Sequence, residues 1–264
     1  MKVSMHLLCL LVLFALAWPL ASQAAGGPDC SRPFTLALHD HGLLFDSQTG
    51  AGIDKDIADE LTRRSGCKIS VSLMPRARIW QLIESGALDF SLSGISNEAR
   101  ERFAAFAWYF SNKSYLLVRE GLGVQKPADF EARPGLRLGV IRGFRYSASA
   151  NGLVDRLDAL GRVSFATQLD PLYQVLLDGR VQAVIIEPFD YPTLDTANIR
   201  SQTRILAFDD PPVPHGLIMS RKALPPLQQQ AWRELIDSMR ADGTVQRIFE
   251  RYFSPDMAGA MTRF

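Results

Sequence analysis

Between residues 33 and 92 the chain alternates short apolar runs with helical stretches, and that order restricts the fold more than any other feature. Residues 33–38 (PFTLAL) read as a strand, followed by a polar loop to Gly52. A helix then follows, with Asp54 placed to cap it, Ile57, Ala58 and Leu61 on one face, and Gly66 as its stop. Residues 68–73 (KISVSL) alternate as a second strand. Pro75 suits the first turn of a second helix with Ile79, Leu82 and Ile83 inward, Gly86 ends it, and residues 88–92 form a third strand. A β-α-β-α-β order is the pattern of a parallel sheet with right-handed crossovers.

The later chain repeats the theme. Residues 137–141 and 163–166 read as strands, Asp170-Pro171 opens a helix that stops at Gly179, and residues 181–186 form a buried strand. IESGALDF at residues 83–90 is echoed by LLDGRVQA at 176–183, each running helix, glycine, apolar, polar, strand. Two similar α/β lobes are therefore expected, joined near residues 113–120 and again near 215–220. The C-terminal stripes Trp232, Leu235, Ile236, Met239 and Val245, Ile248, Phe249, Tyr252 form two helices that return to the first lobe. The first lobe then takes residues 25–117 and 214–264 and the second 118–213, a hinged arrangement suited to closing on a ligand.

The N-terminus differs from the rest. Lys2, an apolar run over residues 7–17 and Ser22-Gln23-Ala24 before a Gly-Gly-Pro spacer describe a secretory signal peptide of residues 1–24, with cleavage after Ala24. The apolar run is shorter than the roughly 20 residues of a membrane helix. Loss of Lys2 from 29 basic residues leaves 28 against 28 acidic ones, a neutral exported chain expected in the periplasm. Neutrality argues against sequence-independent nucleic-acid binding. The remaining cysteines, Cys30 and Cys67, precede the first and second strands. Neighbouring parallel strands begin at one sheet edge, so the two sulfurs are expected to form a disulfide, with separate thiols as the alternative.

In open parallel sheets ligands lie beyond the carboxyl ends of strands. Ser93-Gly94-Ile95-Ser96 follows the third strand, with Arg100 within helical reach; backbone donors, hydroxyls and a planar guanidinium suit a carboxylate. Glu187 ends an apolar strand, where a charge needs a partner: a ligand ammonium or an internal arginine. An anion clamp facing a cation clamp fits a zwitterion such as an amino acid. His39 and His41 lie two apart in a loop, too little for a structural metal site, and no phosphate-binding loop or nucleophile elbow occurs. No metal or other cofactor is expected.

Several motifs in order carry a family resemblance. Gly52-Ile-Asp54-Lys-Asp56-Ile57, Gly86-Ala-Leu-Asp89, Ser93-Gly94-Ile95-Ser96 with Arg100, Leu138-Gly139-Val140, Gly179-Arg-Val-Gln182-Ala183 and Asp242-Gly243-Thr244 together resemble family 3 of the bacterial extracellular solute-binding proteins, the periplasmic polar-amino-acid receptors of ABC importers. The resemblance implies a two-lobe type II periplasmic-binding fold and a monomer that delivers its ligand to an inner-membrane permease. It also implies Arg100 on the ligand carboxylate, Ser93 and Ser96 as polar contacts, and Glu187 on an amino group. The chain departs from the family pattern at three places. Gly94 to Arg100 is one residue shorter; Arg76 stands where many such receptors place an aromatic platform; and Phe144-Arg145 replaces a Thr-Thr or Thr-Ser pair. The extra arginines favour a ligand richer in anionic groups, unless Arg76 pairs with Glu187 or Asp40. Two other readings share these residues. One is an enzyme similar to cyclohexadienyl dehydratases, with Glu187 or Asp190 as general acid; the other is a periplasmic sensor that signals to a membrane receptor.

Overall fold

The computed structural model describes residues 27–264, so the expected signal segment, residues 1–24, lies outside the described residues. The first unit begins β1 (Phe34–Leu38), α1 (Ile53–Ser65), β2 (Ile69–Leu73), α2 (Arg76–Ser85), β3 (Phe90–Gly94), α3 (Glu98–Glu101) and β4 (Ala104–Asn112). The second contains β5 (Tyr115–Arg119), α4 (Pro127–Glu131), β6 (Leu138–Ile141), α5 (Ala148–Ala159), β7 (Val163–Ala166), α6 (Leu169–Leu177), β8 (Ala183–Ile186), α7 (Tyr191–Thr196) and β9 (Thr203–Ala207). The chain then returns through β10 (Val213–Ser220) and ends in α8 (Pro226–Ala241), α9 (Thr244–Phe249) and α10 (Pro255–Thr262).

Two five-stranded sheets result, ordered β2-β1-β3-β10-β4 and β7-β6-β8-β5-β9. In each, the three strands of a β-α-β-α-β unit are parallel, and the remaining strands make the sheet mixed. The stretches expected as extended crossovers are themselves paired: β10 runs antiparallel to β3 and β4, and β5 antiparallel to β8 and β9. Their apolar residues are needed on both faces because helices cover each sheet on both sides. The passages between sheets are therefore short, after Asn112 and after Ala207.

The first sheet carries its larger core under α1, α8, α9 and α10, where Trp232 sits edge-on to Phe34 and Phe90 at 5.3 and 4.8 Å. Its other face is covered by α2 through Ile79, Trp80 and Ile83. The second sheet has α4 and α5 on one face and α6 and α7 on the other.

The sequence echo corresponds to equivalent places in the two units. Gly86 and Gly179 both have left-handed backbones, at φ 80° and 71°, where helix turns into strand. Asp89 then accepts hydrogen bonds from the Thr35 backbone and from Arg32, while Gln182 accepts one from the Arg137 backbone. Each polar residue thus pins the start of its lobe's first strand. Helix α1 begins at Ile53, and its N-cap is Gly52 without a side-chain cap bond. Asp54 does not serve as the cap; its carboxyl is fully buried and turns toward β3 and β4.

Cys30 and Cys67 form a disulfide across 37 residues of chain, as the parallel-edge argument expects. On the chain-entropy model such a loop contributes roughly 4 kcal/mol. Cys30→Ser, with Cys67→Ser to avoid a stray thiol, is expected to lower the melting temperature by about 10 °C in calorimetry. An unchanged melting temperature would show that the bridge contributes little.

Candidate functional site

The carboxyl ends of the parallel strands of both sheets face one interlobe cleft. From the first sheet come His39 and His41 after β1, Arg76 after β2, and Ser93 and Arg100 after β3; from the second come Gly143 and Phe144 after β6 and Glu187 and Asp190 after β8. His215 enters from β10 at the crossing.

Arg76 is 4% exposed, and its guanidinium donates to Leu92 O at 3.0 Å, Ser93 O at 2.8 Å and Ser91 Oγ at 3.4 Å. It pairs with neither Glu187 nor Asp40, the two partners considered from sequence. Arg100, 9% exposed, donates to Ile95 O in its own lobe and across the cleft to Gly143 O, both at 2.8 Å. Its guanidinium carbon lies 3.8 Å from the Trp80 ring centroid, and that of Arg76 lies 5.9 Å from the same ring. Trp80 follows Arg76 by one helical turn, which puts both on one face of α2. Among the described residues neither arginine has an ion-pair partner. Burial lowers Arg76 to about 10, and burial, then repulsion from Arg76 and Arg145, lowers Arg100 to about 9; both stay charged at neutral pH.

Ser93 holds a left-handed backbone at φ 52°, costly for a non-glycine residue. Three contacts fix it: its N–H donates to Tyr109 Oη at 2.9 Å, its hydroxyl donates to Asp54 Oδ1 at 2.5 Å, and the same hydroxyl lies 3.1 Å from Tyr109 Oη, which itself donates to Asp54 at 3.2 Å. The strain turns its carbonyl onto Arg76. Gly94 leaves no room for a side chain, since a Cβ would stand 2.3 Å from Ile218. Ser96 donates to Glu101 instead and does not line the central cavity.

On the opposite wall Glu187 is 4% exposed and accepts from Asn112 Nδ2 at 2.8 Å, with His215 Nε2 at 3.6 Å and His41 Nε2 at 3.9 Å. Burial works against its ionisation, but His215, His41 and Asn112 outweigh that and hold its carboxyl below the usual range. Asp190 accepts the Glu187 backbone N–H at 2.8 Å and approaches His41 at 3.5 Å; burial pushes its carboxyl up to about 8. Burial likewise lowers His41 to about 4 and His39 well below its ordinary value, so both rings are neutral near pH 7. Arg145 is half-buried and pairs with Asp155 at 3.1 Å, and Asp40 accepts from Ser47.

Phe144 closes the cleft. Its ring, from the second lobe, sits 5.3 Å from His39, 4.8 Å from His41 and 5.6 Å below the Arg76 guanidinium. Leu43 N–H donates to Phe189 O at 3.0 Å, a further lobe-to-lobe bond. The cavity left between Arg76, Arg100, Ser93 and Glu187 is about 10 Å³, room for a water and no more.

Arg100, Glu187, Arg76, Ser93 and Phe144 are thus brought together around one cleft, with Arg145 at its margin and Asp40 beside the adjoining space, while Gly94 packs against Ile218 and lines neither. Sequence reasoning passed over Trp80, Tyr109, Asn112 and the inward role of Asp54. The spacing of Trp80 from Arg76 was the one available signal.

Two lobes closing on a cleft lined from strand ends define a bilobal binding protein. The chain belongs to the bacterial extracellular solute-binding proteins, family 3, whose family model matches residues 34–255. No curated protein sequence matches it. Among solved structures it is similar to an ancestral arginine-binding protein bound to arginine, at 20% identity over 86% of this chain and 100% of that one, TM-score 0.72. It is also similar to the arginine-, lysine-, histidine-binding protein ArtJ of Geobacillus stearothermophilus, at 17% identity over 86% and 99%, TM-score 0.70. A third is an ABC uptake transporter substrate-binding protein of Streptococcus pneumoniae with bound histidine, at 16% identity over 84% and 92%, TM-score 0.69. At these identities the likeness concerns the fold.

The buried acids and imidazoles set a pH dependence. Asp190 is raised from 3.8 to about 8, so the native state keeps a proton that the unfolded chain has lost, and stability falls as pH rises toward 8. His41 is lowered from 6.5 to about 4, so its contribution is lost as pH falls below 6.5, and Asp54, raised to about 6, acts only in that lower range. Between pH 6.5 and 8 the Asp190 effect leads, and Arg100, lowered to about 9, enters with the opposite sign only near the top of the range. Melting temperature is expected to drop between pH 6.5 and 8.5, and Asp190→Asn to flatten that drop; an equal slope in the variant would assign it elsewhere.

Proposed function

We propose that this protein is a periplasmic solute-binding protein that captures an amino acid or similar small carboxylate between its lobes and presents it, as a monomer, to an inner-membrane ABC permease. It acts by binding, without turnover or a cofactor. The observation that carries the reading is Arg100: a buried guanidinium, unneutralised by any described carboxylate, reaching from one lobe to a carbonyl of the other. Burying an unpaired charge is unfavourable, and a site that accepts that cost is suited to receive an anion. A ligand carboxylate takes the place of Gly143 O on Arg100, forming a charge-assisted pair where a neutral carbonyl stood. Ser93 shapes the floor below it. Glu187 faces the other end, where an amino group can join Asn112 and His215 as its donors.

The cavity of about 10 Å³ is too small for an amino acid, so entry requires the lobes to part and Phe144 to leave His39 and His41. Ligand binding is then a shift between two lobe arrangements, driven by contacts the ligand makes to both halves. The signal-like N-terminus supports export, and among the described residues no helix is long and apolar enough to cross a membrane.

A thermal-shift screen of amino acids, dicarboxylates and small amines is expected to yield a stabilising carboxylate, since a ligand specific to the native state raises stability by mass action. Arg100→Gln is expected to weaken that ligand by at least about thirtyfold in calorimetry, near the lower end for loss of a buried charge partner. Full affinity in a folded Arg100→Gln protein would remove Arg100 from the site. Consumption of the carboxylate by the purified protein would replace the receptor reading with an enzymatic one.

A further inference from the structure

The two buried arginines have more donors than the protein supplies acceptors. A guanidinium carries five N–H bonds, ten for the pair. Arg76 spends three on Ser91, Leu92 and Ser93 and Arg100 two on Ile95 and Gly143, leaving five of ten without a protein acceptor. The surroundings add donors. Both ring nitrogens of buried His39 lack a partner, and one of them carries a proton in the neutral ring. The Asp190 carboxyl holds its proton at neutral pH, and its Oδ1 also lacks a partner. The spare acceptors are fewer, Asn112 Oδ1, Asp54 Oδ2 and the unprotonated nitrogen of His39, with His41 Nε2 unpartnered as well. Glu187, the group suited to an ammonium, already has Asn112 at 2.8 Å and His215 at 3.6 Å.

Space around the arginines is divided in a matching way. Both line the 10 Å³ central cavity. Arg100 and Trp80 also bound a space of about 490 Å³, and Arg76 and His39 also bound a space of about 230 Å³. Phe144 borders all three, so one residue is common to two spaces that each hold a guanidinium.

We infer that the ligand is a small dicarboxylate lying beside Phe144, one acid on Arg100 and the other on Arg76, and that Arg76 is the residue selecting it over a zwitterionic amino acid. The inference rests on the receptor reading above and narrows it. Glu187 and Asp54 lie near Arg76 but form no ion pair with either guanidinium, so a dicarboxylate can pair both arginines directly, whereas a zwitterion brings a single carboxylate and leaves one of them unpaired. A substrate's second acid group is also a strong discriminator, because its absence leaves a buried donor unpaired.

The test is calorimetric titration of the mature chain with succinate, glutarate and adipate, the monomethyl ester of whichever binds, and glutamine. One of the diacids is expected to bind at least tenfold more tightly than its monoester and than glutamine. Arg76→Gln is expected to lower affinity for the diacid by at least tenfold more than for the monoester, while Arg100→Gln weakens both. A monoester equal to its diacid in the unmodified protein overturns the inference without any variant, so it stays decidable if Arg76→Gln does not fold. Equal losses for diacid and monoester in Arg76→Gln also overturn it. Binding of glutamine with no diacid bound overturns it and leaves the receptor reading standing. No binding by any of these or by the wider screen overturns both.

Discussion

The hydrogen bond from Arg100 to Gly143 O is the contact on which the closed arrangement turns. It is a charge without a counter-charge, held at the meeting of two separately built lobes. Its cost is reduced by carbonyl dipoles and by the face of Trp80, whose ring quadrupole attracts a cation. The neighbouring Arg76 is treated alike, with three oxygen acceptors and the same indole. A core arranged for stability alone would place apolar side chains here. On the proposed function the arrangement is a seat for negative charge, with the protein's own carbonyls engaged when the lobes lie together.

The rest of the fold holds these groups in place. Ser93 keeps a left-handed backbone because Tyr109 and Asp54 grip it from β4 and α1, and its carbonyl then meets Arg76. Gly143, at φ 85°, packs against the start of α2, where a Cβ would lie 2.9 Å from Ala77; a larger residue there would push the lobes apart. Asn112, at the first passage between sheets, holds Glu187 of the second lobe, so the hinge and the far wall of the cleft move as neighbours. Local strain, close backbone approach and hinge contact all serve one geometry.

Much of the fold was legible because its parallel strands and their helices follow simple periodicity. The strands β1 to β3 and β6 to β8, the glycine stops at Gly86 and Gly179 and the Cys30–Cys67 pairing followed from apolar runs and turn chemistry. Helix α5 leaves little trace in the sequence, because Ser, Ala, Asn and Gly fill its first turns and its buried residues, Ala150, Leu153, Val154 and Leu157, give a weak stripe. Strand β4 was hidden because it is buried on both faces and so shows no alternation. In the cleft, residues lying just beyond strand ends could be named, but their partners could not. Asp54 reads as a helix cap locally, yet its contacts come from residues 39 and 55 positions later, and the Phe144 stack on His39 and His41 exists only when the lobes meet.

The most direct measurement is the distance between spin labels on exposed positions of the two lobes, Gln81 on α2 and Asp158 on α5, by pulsed electron resonance. It is made with and without a carboxylate found to raise the melting temperature. The account predicts that the distance distribution changes with the compound in the parent protein and does not in Arg100→Gln at the same concentration. A distribution that stays fixed in the parent at saturation, or shifts equally in the variant, would contradict an anion held between the lobes by that guanidinium.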